Sequence, residues 1–288
     1  MTRLCEKDID GIACRMEQYD QELINKTGHT LAEIAAHAAG MEQQGGEKIY
    51  DPGLVAVIPM TCGQGIIGGF TEAVAGILSF LEMRVFIPRA GDVNGIAAAL
   101  AREAKILFMA DDDRFIAVHL KSGRCIDNGE ATGKGYVAAL DYMLKGVNGQ
   151  RILILGAGPV GCAAAFAAVN FGGNVAVYDK KAEASERMAQ DIFNRYGRKI
   201  CIEQDLKSAL TNHHAIVVAC PEAGFITQEV LAADSYVAAP GIPLGVCEDA
   251  REQIQNRLLH DPLQIGVATM LYECLKRSDY HCQGDENR

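Results

Sequence analysis

The sequence has no apolar run long enough to cross a bilayer. Its three conspicuous apolar blocks, GLVAVIPM, KILFMA and RILILGAG, end in turn or charged residues after a few positions, whereas a spanning helix needs about 20. No membrane partner is expected. The opening stretch MTRLCEKDIDGIACRMEQYD mixes both charge signs and lacks an apolar h-region, so it does not read as a secretory leader. The ten cysteines include no C-x-x-C, and the seven histidines include neither an H-x-x-x-H pair nor a metal-ligand spacing to a cysteine. No metal site is expected, and the thiols read as free in a reducing cytoplasm, several of them as small hydrophobes in apolar runs. His213 and His214 sit in a polar turn and are expected at the surface. Positive charge is short as well: 27 Lys and Arg against 37 Asp and Glu leave a formal charge of −10. This argues against a nucleic-acid partner and is compatible with a cationic substrate.

What the chain does have is 49% apolar and 22% charged residues over 288 positions, the mark of one large or two ordinary globular domains. Residues 1 to 48 read as helices, with Thr30 as an N-cap before HTLAEIAAHAAGM. Short apolar strands then alternate with helices, with strands expected at 54–58, 84–87, 105–110 and 114–119. After the polar, Gly-containing stretch KGVNGQ they continue at 151–155, 174–178, 199–202, 215–219 and 235–239. This α/β alternation predicts a parallel, doubly wound sheet in each half. The divisions expected are 1–48, helices belonging to the substrate domain; 49–148, an α/β substrate domain; 149–260, a Rossmann domain; and 261–288, a helix returning to the first domain, with a tail.

Two loops carry G-x-G-x-x-G, one at Gly63, Gly65 and Gly68, the other at Gly156, Gly158 and Gly161. Glycines alone do not make a dinucleotide site. The strand has to run straight into the first glycine, so that the following helix N-terminus meets the pyrophosphate. A carboxylate has to end the next strand, to take the adenosine ribose. In the second loop RILIL meets Gly156 directly, and NVAVY ends in Asp179, about 20 residues on. In the first, four residues intervene and the next strand ends in Pro88 and Arg89. The coenzyme is therefore assigned to Gly156, Gly158, Pro159, Val160, Gly161 and Asp179, with the later strand ends contributing Cys220, Pro221, Pro240, Gly241 and Ile242. A carboxylate at Asp179 favours NAD over NADP, a preference that Lys180 and Lys181 could soften.

The first loop, with Thr61, Cys62 and Gln64, is either a ligand-free turn or a helix N-terminus holding a substrate carboxylate. In FMADDDR, Asp111 to Asp113 form either a solvated turn or the counter-charge for a substrate ammonium, with Asp111 expected to point inward. His260 and Asp261 precede Pro262, which forbids an ordinary helix there, so both are expected at the domain interface.

PMTCGQGIIGGFTEAV, ILFMADDDRFIAVHLKSG with the later ATG, and PGIP with DPLQIGVATMLYECL resemble the pyrrolysine synthase family. The resemblance runs from about residue 50 to 276, with Leu4 and Asp8 matching further upstream. It implies an NAD-dependent amine dehydrogenase. The terminal amine of methyl-D-ornithyl-lysine is oxidised to a semialdehyde, ammonia leaves, and the ornithine α-amine closes a pyrroline ring. It implies that Asp111 holds or deprotonates a substrate amine. Asp261, standing where the family has a glutamate, makes a similar contact. The resemblance further implies Leu4 on a mobile cover, and a pocket lined by Thr61, Cys62 in place of a serine, Gln64 in place of an asparagine, Ile66, Ile67 and Thr132. A homodimer is expected, because such dehydrogenases often pair. Two alternatives stay open: a dehydrogenase of the shikimate or methylene-tetrahydrofolate kind, for which Lys105 and Lys121 are out of context, and an NAD sensor without catalysis.

Overall fold

A computed structural model describes residues 4–41, 53–65 and 67–276; Ile66 lies outside them. Helices α1 (Glu6–Ile9), α2 (Met16–Thr27) and α3 (Leu31–Ala38) lead the chain. Thr30 caps α3 as expected, in a reciprocal capping box with Glu33. There follow β1 (Leu54–Ile58), α4 (Phe70–Phe80), β2 (Arg84–Phe86), α5 (Asp92–Ala101), β3 (Ala104–Ala110), β4 (Phe115–His119), β5 (Arg124–Asp127) and α6 (Asn128–Met143). The remaining elements are β6 (Arg151–Leu155), α7 (Pro159–Asn170), β7 (Asn174–Tyr178), α8 (Ala182–Tyr196), β8 (Cys201–Ile202), α9 (Leu206–Asn212), β9 (Ala215–Val218), β10 (Tyr236–Ala238), α10 (Glu248–Gln253), β11 (Leu258–Leu259) and α11 (Gln264–Leu275).

The second sheet is parallel throughout, in the order β11-β10-β9-β6-β7-β8. The chain steps outward from β6 and then crosses to β9 on its other flank, the Rossmann switch point at whose strand ends ligands bind. The first sheet, β2-β1-β3-β4-β5, is not parallel throughout, contrary to the reading of the sequence. β1 pairs parallel with β2 and β3, but β4 runs antiparallel to both β3 and β5. Only Asp111 to Arg114 join β3 to β4, far short of the dozen or more residues that a parallel crossover takes. Along β1, Val55 and Val57 enter the main core while Ala56 and Ile58 pack with Ala99 and Leu107 on the other face. Burial on both faces accounts for its unbroken apolar run.

Between the sheets α6 is packed tightly, with α7 on one side and α11 on the other. At Gly133 a Cβ would collide with the Val160 carbonyl and come within 2.7 Å of Ala163, so only glycine allows α6 and α7 to approach this closely. The C-terminal helix returns as expected: α11 packs on α3, α4 and α6 and is almost wholly buried. His213 departs from expectation. It is buried, and its Nδ1–H donates to the Ala209 carbonyl at 2.8 Å, satisfying a carbonyl that the end of α9 leaves free. The nine described cysteines are free; Cys274 is buried, but Cys5, Cys14, Cys62, Cys125 and Cys201 are exposed and do not pack as hydrophobes.

A ring stack ties α3 to α6 and α7. His29 and His37 both stack on Tyr142, and His37 stacks on Phe171 with centroids 4.6 Å apart. Beneath it Asp141 meets His37 Nε2 at 2.9 Å and accepts the Val147 N–H at 2.7 Å. Burial opposes charge on Asp141, but these hydrogen bonds outweigh it and hold the carboxyl below the usual range. A depressed folded-state pKa stabilises the protein above the unfolded value of about 4, and the gain disappears as pH falls through the folded value. Asp141→Asn is thus expected to cost about 2 kcal/mol at neutral pH and to flatten the acid limb of stability, measured by urea unfolding from pH 7 to 2. An acid limb as steep as in the parent would show that Asp141 is not its source.

Candidate active site

A cavity of about 480 Å³ opens where the carboxyl ends of both sheets face each other. Its coenzyme-side wall is Gly158, Pro159 and Val160 at the start of α7, Ala219 and Pro221 after β9, and Pro240, Gly241 and Ile242 after β10. Gly156 adopts the left-handed φ of 97°, and a Cβ at Gly161 would run into the Gly156 carbonyl. The turn is therefore available only to glycine, and it aims the N-terminus of α7 at the cleft. Beside Gly158 a Cβ would meet nothing within 4 Å, and the first turn of α7 carries no acidic residue. An anion has both room and helix-dipole support there. Asp179 ends β7, accepting the Ala157 N–H at 2.7 Å and the Lys181 N–H at 2.8 Å. Gly156, Gly161, Asp179 and Cys220 stand outside the cavity wall. Burial pushes the Cys220 thiol up to about 11. Lys180 is drawn into an ion pair with Glu222, and that hydrogen bond raises its ammonium pKa.

The opposite wall comes from the first sheet and the helices. Asp111 stands at the rim, its side chain exposed, and Oδ1 accepts the Asp113 and Arg114 N–H groups at 2.9 and 2.7 Å. The Arg114 amide, then that of Asp113, hold this carboxyl below the usual range. Among the described residues Oδ2 has no partner. A carboxylate so depressed is a poor proton acceptor and a persistent anion. Leu4, Cys62, Ile67, Thr132 and Asp261 also line the cavity.

Thr61 and Gln64 do not. The Thr61 N–H and hydroxyl bind the Asp92 carboxylate at 2.8 and 2.5 Å, which lowers the pKa of Asp92, and the Gln64 N–H binds Asp112 at 2.6 Å. In this loop the Thr61 and Gln64 amides are therefore occupied by the protein's own carboxylates, and the helix that follows begins only at Phe70. Asp261 reaches the interface, as expected; His260 is exposed, its Nδ1–H donating to the Ala239 carbonyl at 2.8 Å.

Sequence reasoning missed a ladder on α6. Asn128, Thr132 and Tyr136 all line the cavity, and their spacing of four residues places them on one helical face. Extending the ATG match one turn in each direction would have found the other two. Phe70, Phe115 and Leu263 were missed as well, while Asp112, from the acidic run, lines the cavity beside Asp111.

A Rossmann sheet with its glycine turn and a carboxylate after its second strand, facing a mixed sheet across a cavity at the strand ends, is the architecture of an NAD-dependent dehydrogenase. Residues 8–126 match the family described as pyrrolysine biosynthesis protein PylD, N-terminal domain, and residues 130–242 match the alanine dehydrogenase/PNT C-terminal domain. The chain is 29% identical to pyrrolysine synthase of Methanosarcina acetivorans over 89% of its own length and 97% of the relative's. To that of Methanosarcina barkeri it is also 29% identical, over 96% and 98%. In fold it is similar to quinate dehydrogenase from Corynebacterium glutamicum in complex with NAD (TM-score 0.53, 15% identity, 77% of this chain and 93% of that one). Shikimate dehydrogenase from Aquifex aeolicus is comparable (0.51, 15%, 77% and 89%). These comparisons uphold the resemblance to pyrrolysine synthase read from the sequence, and together with the alanine dehydrogenase/PNT domain they support an NAD-dependent oxidoreductase role in pyrrolysine biosynthesis.

Proposed function

We propose that this protein oxidises the terminal amine of methyl-D-ornithyl-lysine to a semialdehyde, releases ammonia and lets the pyrroline ring close. The observation that carries this reading is the charge of the cavity wall. Among the described residues it contains Asp111, Asp112 and Asp261 and no Lys, Arg or His. A substrate with several amines finds counter-charge there, whereas a substrate whose one charge is a carboxylate finds none. Lys105 is exposed near the amino end of β3, the end away from the cavity, and does not line it.

NAD, when bound on Gly156 to Val160 and Asp179, supplies the hydride acceptor. Asp111 is assigned the amine next to the rim, Asp261 an amine held deeper, and Thr132 and Cys62 the polar contacts between them. Leu4 covers the opening and excludes water from the reacting carbon. The persistent anion at Asp111 suits holding an ammonium better than deprotonating it. Ring closure is intramolecular, so the wall need only keep the chain folded back on itself. The working division is a substrate part up to residue 148, a coenzyme part over 149–260 and a returning segment from 261, the whole acting as a cytoplasmic homodimer.

Synthetic methyl-D-ornithyl-lysine added with NAD is expected to produce NADH and ammonia in equal amounts, followed by absorbance and an ammonia assay. A protein that binds NAD and produces neither would be a sensor and not an enzyme.

A further inference from the structure

Two tyrosines that play no part in the reading above converge on Asp261. Tyr19, on α2, donates its hydroxyl to Oδ2 at 2.9 Å. The Tyr136 hydroxyl, on α6, lies 3.0 Å from the same oxygen and 2.8 Å from the Asp261 carbonyl, and accepts the Asp261 N–H at 2.7 Å. The other oxygen, Oδ1, accepts the Leu263 and Ile265 N–H groups at 3.0 and 3.3 Å as α11 begins. Asp261 is only 5% exposed, yet it lines the large cavity.

Every one of these donors is neutral. Other charged groups near Asp261 are committed elsewhere. Glu22, Lys26 and His260 border a second, small space that Tyr19 and Asp261 also line. The Lys26 ammonium donates to the Leu258 carbonyl at 2.9 Å and His260 to that of Ala239. Among the described residues no cation pairs with the Asp261 carboxylate. A buried carboxylate satisfied in hydrogen bonds but not in charge holds a fixed direction and retains its pull on a cation. Burial, then the Asp261 charge, keeps both phenols well above their ordinary range, so both hydroxyls keep their protons.

We propose that Tyr19 and Tyr136 are positioning residues that fix Oδ2 of Asp261, so that an aimed, uncompensated carboxylate in the cavity wall takes the cationic amine of the substrate. Tyr19 thereby makes α2 part of the active site, linked to a residue at the far end of the chain. This inference rests on reading the cavity as an amine site, as proposed above.

The test is a double-mutant cycle on full-length protein with NAD and methyl-D-ornithyl-lysine. Tyr136→Phe and Tyr19→Phe are each expected to lower kcat/KM about tenfold, mainly through KM, as loss of a hydrogen bond to a charged group does. NAD affinity should be unchanged in both. Asp261→Asn should lower kcat/KM about thirtyfold, and adding either Phe substitution to it should cost nothing more, because the tyrosines act through that carboxylate. Losses that multiply in the double variants, Phe variants as active as the parent, or an unimpaired Asp261→Asn would each overturn the inference. Should Tyr136→Phe melt early, Tyr19→Phe carries the same cycle, since it leaves every Tyr136 bond in place. Parent protein that forms no NADH with this amine overturns the functional reading and the inference with it. Parent turnover with multiplying losses overturns the inference alone.

Discussion

Asp111→Asn is expected to lower kcat/KM for the amine substrate about 300-fold while leaving the NAD dissociation constant within a factor of two, an effect of the size seen when a preorganised charge is removed beside a reacting group. The geometry gives the reason. Oδ1 of Asp111 is tied to the turn by two backbone amides, and Oδ2 remains for a ligand. Asparagine keeps the oxygen that accepts both of the turn's hydrogen bonds, so the β3–β4 hairpin should survive, but it offers no charge to an ammonium. Because Asp111 lies across the cavity from the glycine turn, the coenzyme has no contact to lose. Steady-state kinetics with separate NAD titrations measure both quantities. A variant with ordinary kcat/KM would remove Asp111 from the site, and one that loses NAD affinity equally would show that the two walls are not independent.

Asp179→Ala should act on the other side alone. Its carboxylate is held in place by the amides of Ala157 and Lys181, and its proposed partners are the ribose hydroxyls of the coenzyme. Losing two charge-assisted hydrogen bonds is expected to weaken NAD binding about fiftyfold. The preference for NAD over NADP should narrow as well, since the repulsion of a 2′-phosphate goes with the charge. Lys180 is paired with Glu222, so the preference should be narrowed and not reversed. Equilibrium titration by coenzyme fluorescence decides it, and unchanged NAD affinity would mean the fingerprint was assigned to the wrong strand.

Much of this was legible because it is local. A strand abutting a glycine turn, a small-residue helix behind it and an acid after the next strand are all set within one βαβ unit, so RILILGAGPVG could be read as the strand, turn and helix that the structure has there. The β3–β4 hairpin was legible too and was misread. A strand pair joined by Asp111 to Arg114 has no room for a crossover, whatever the alternation of elements around it. What the sequence could not display were the partners chosen by tertiary packing. Nothing near Thr61 or Gln64 indicates that Asp92 and Asp112 occupy their amides. Nothing near Asp261 points to Tyr19, which reaches it only because α11 folds back between α3, α4 and α6. His213 illustrates the same limit: a polar turn was expected to leave it in water, and a helix-end carbonyl took it inside.

The central claim is that NAD bound on the second sheet presents its nicotinamide to a wall of carboxylates from the first sheet and the start of α11. A crystal structure with NAD and a non-reactive analogue of methyl-D-ornithyl-lysine tests it most directly. The account predicts the nicotinamide ring against Val160 and Ile242, with the analogue's amines within hydrogen-bond reach of Asp111 and Asp261. Coenzyme density along the loop at Cys62 to Gly65, or an analogue whose amines turn away from both carboxylates, would contradict it.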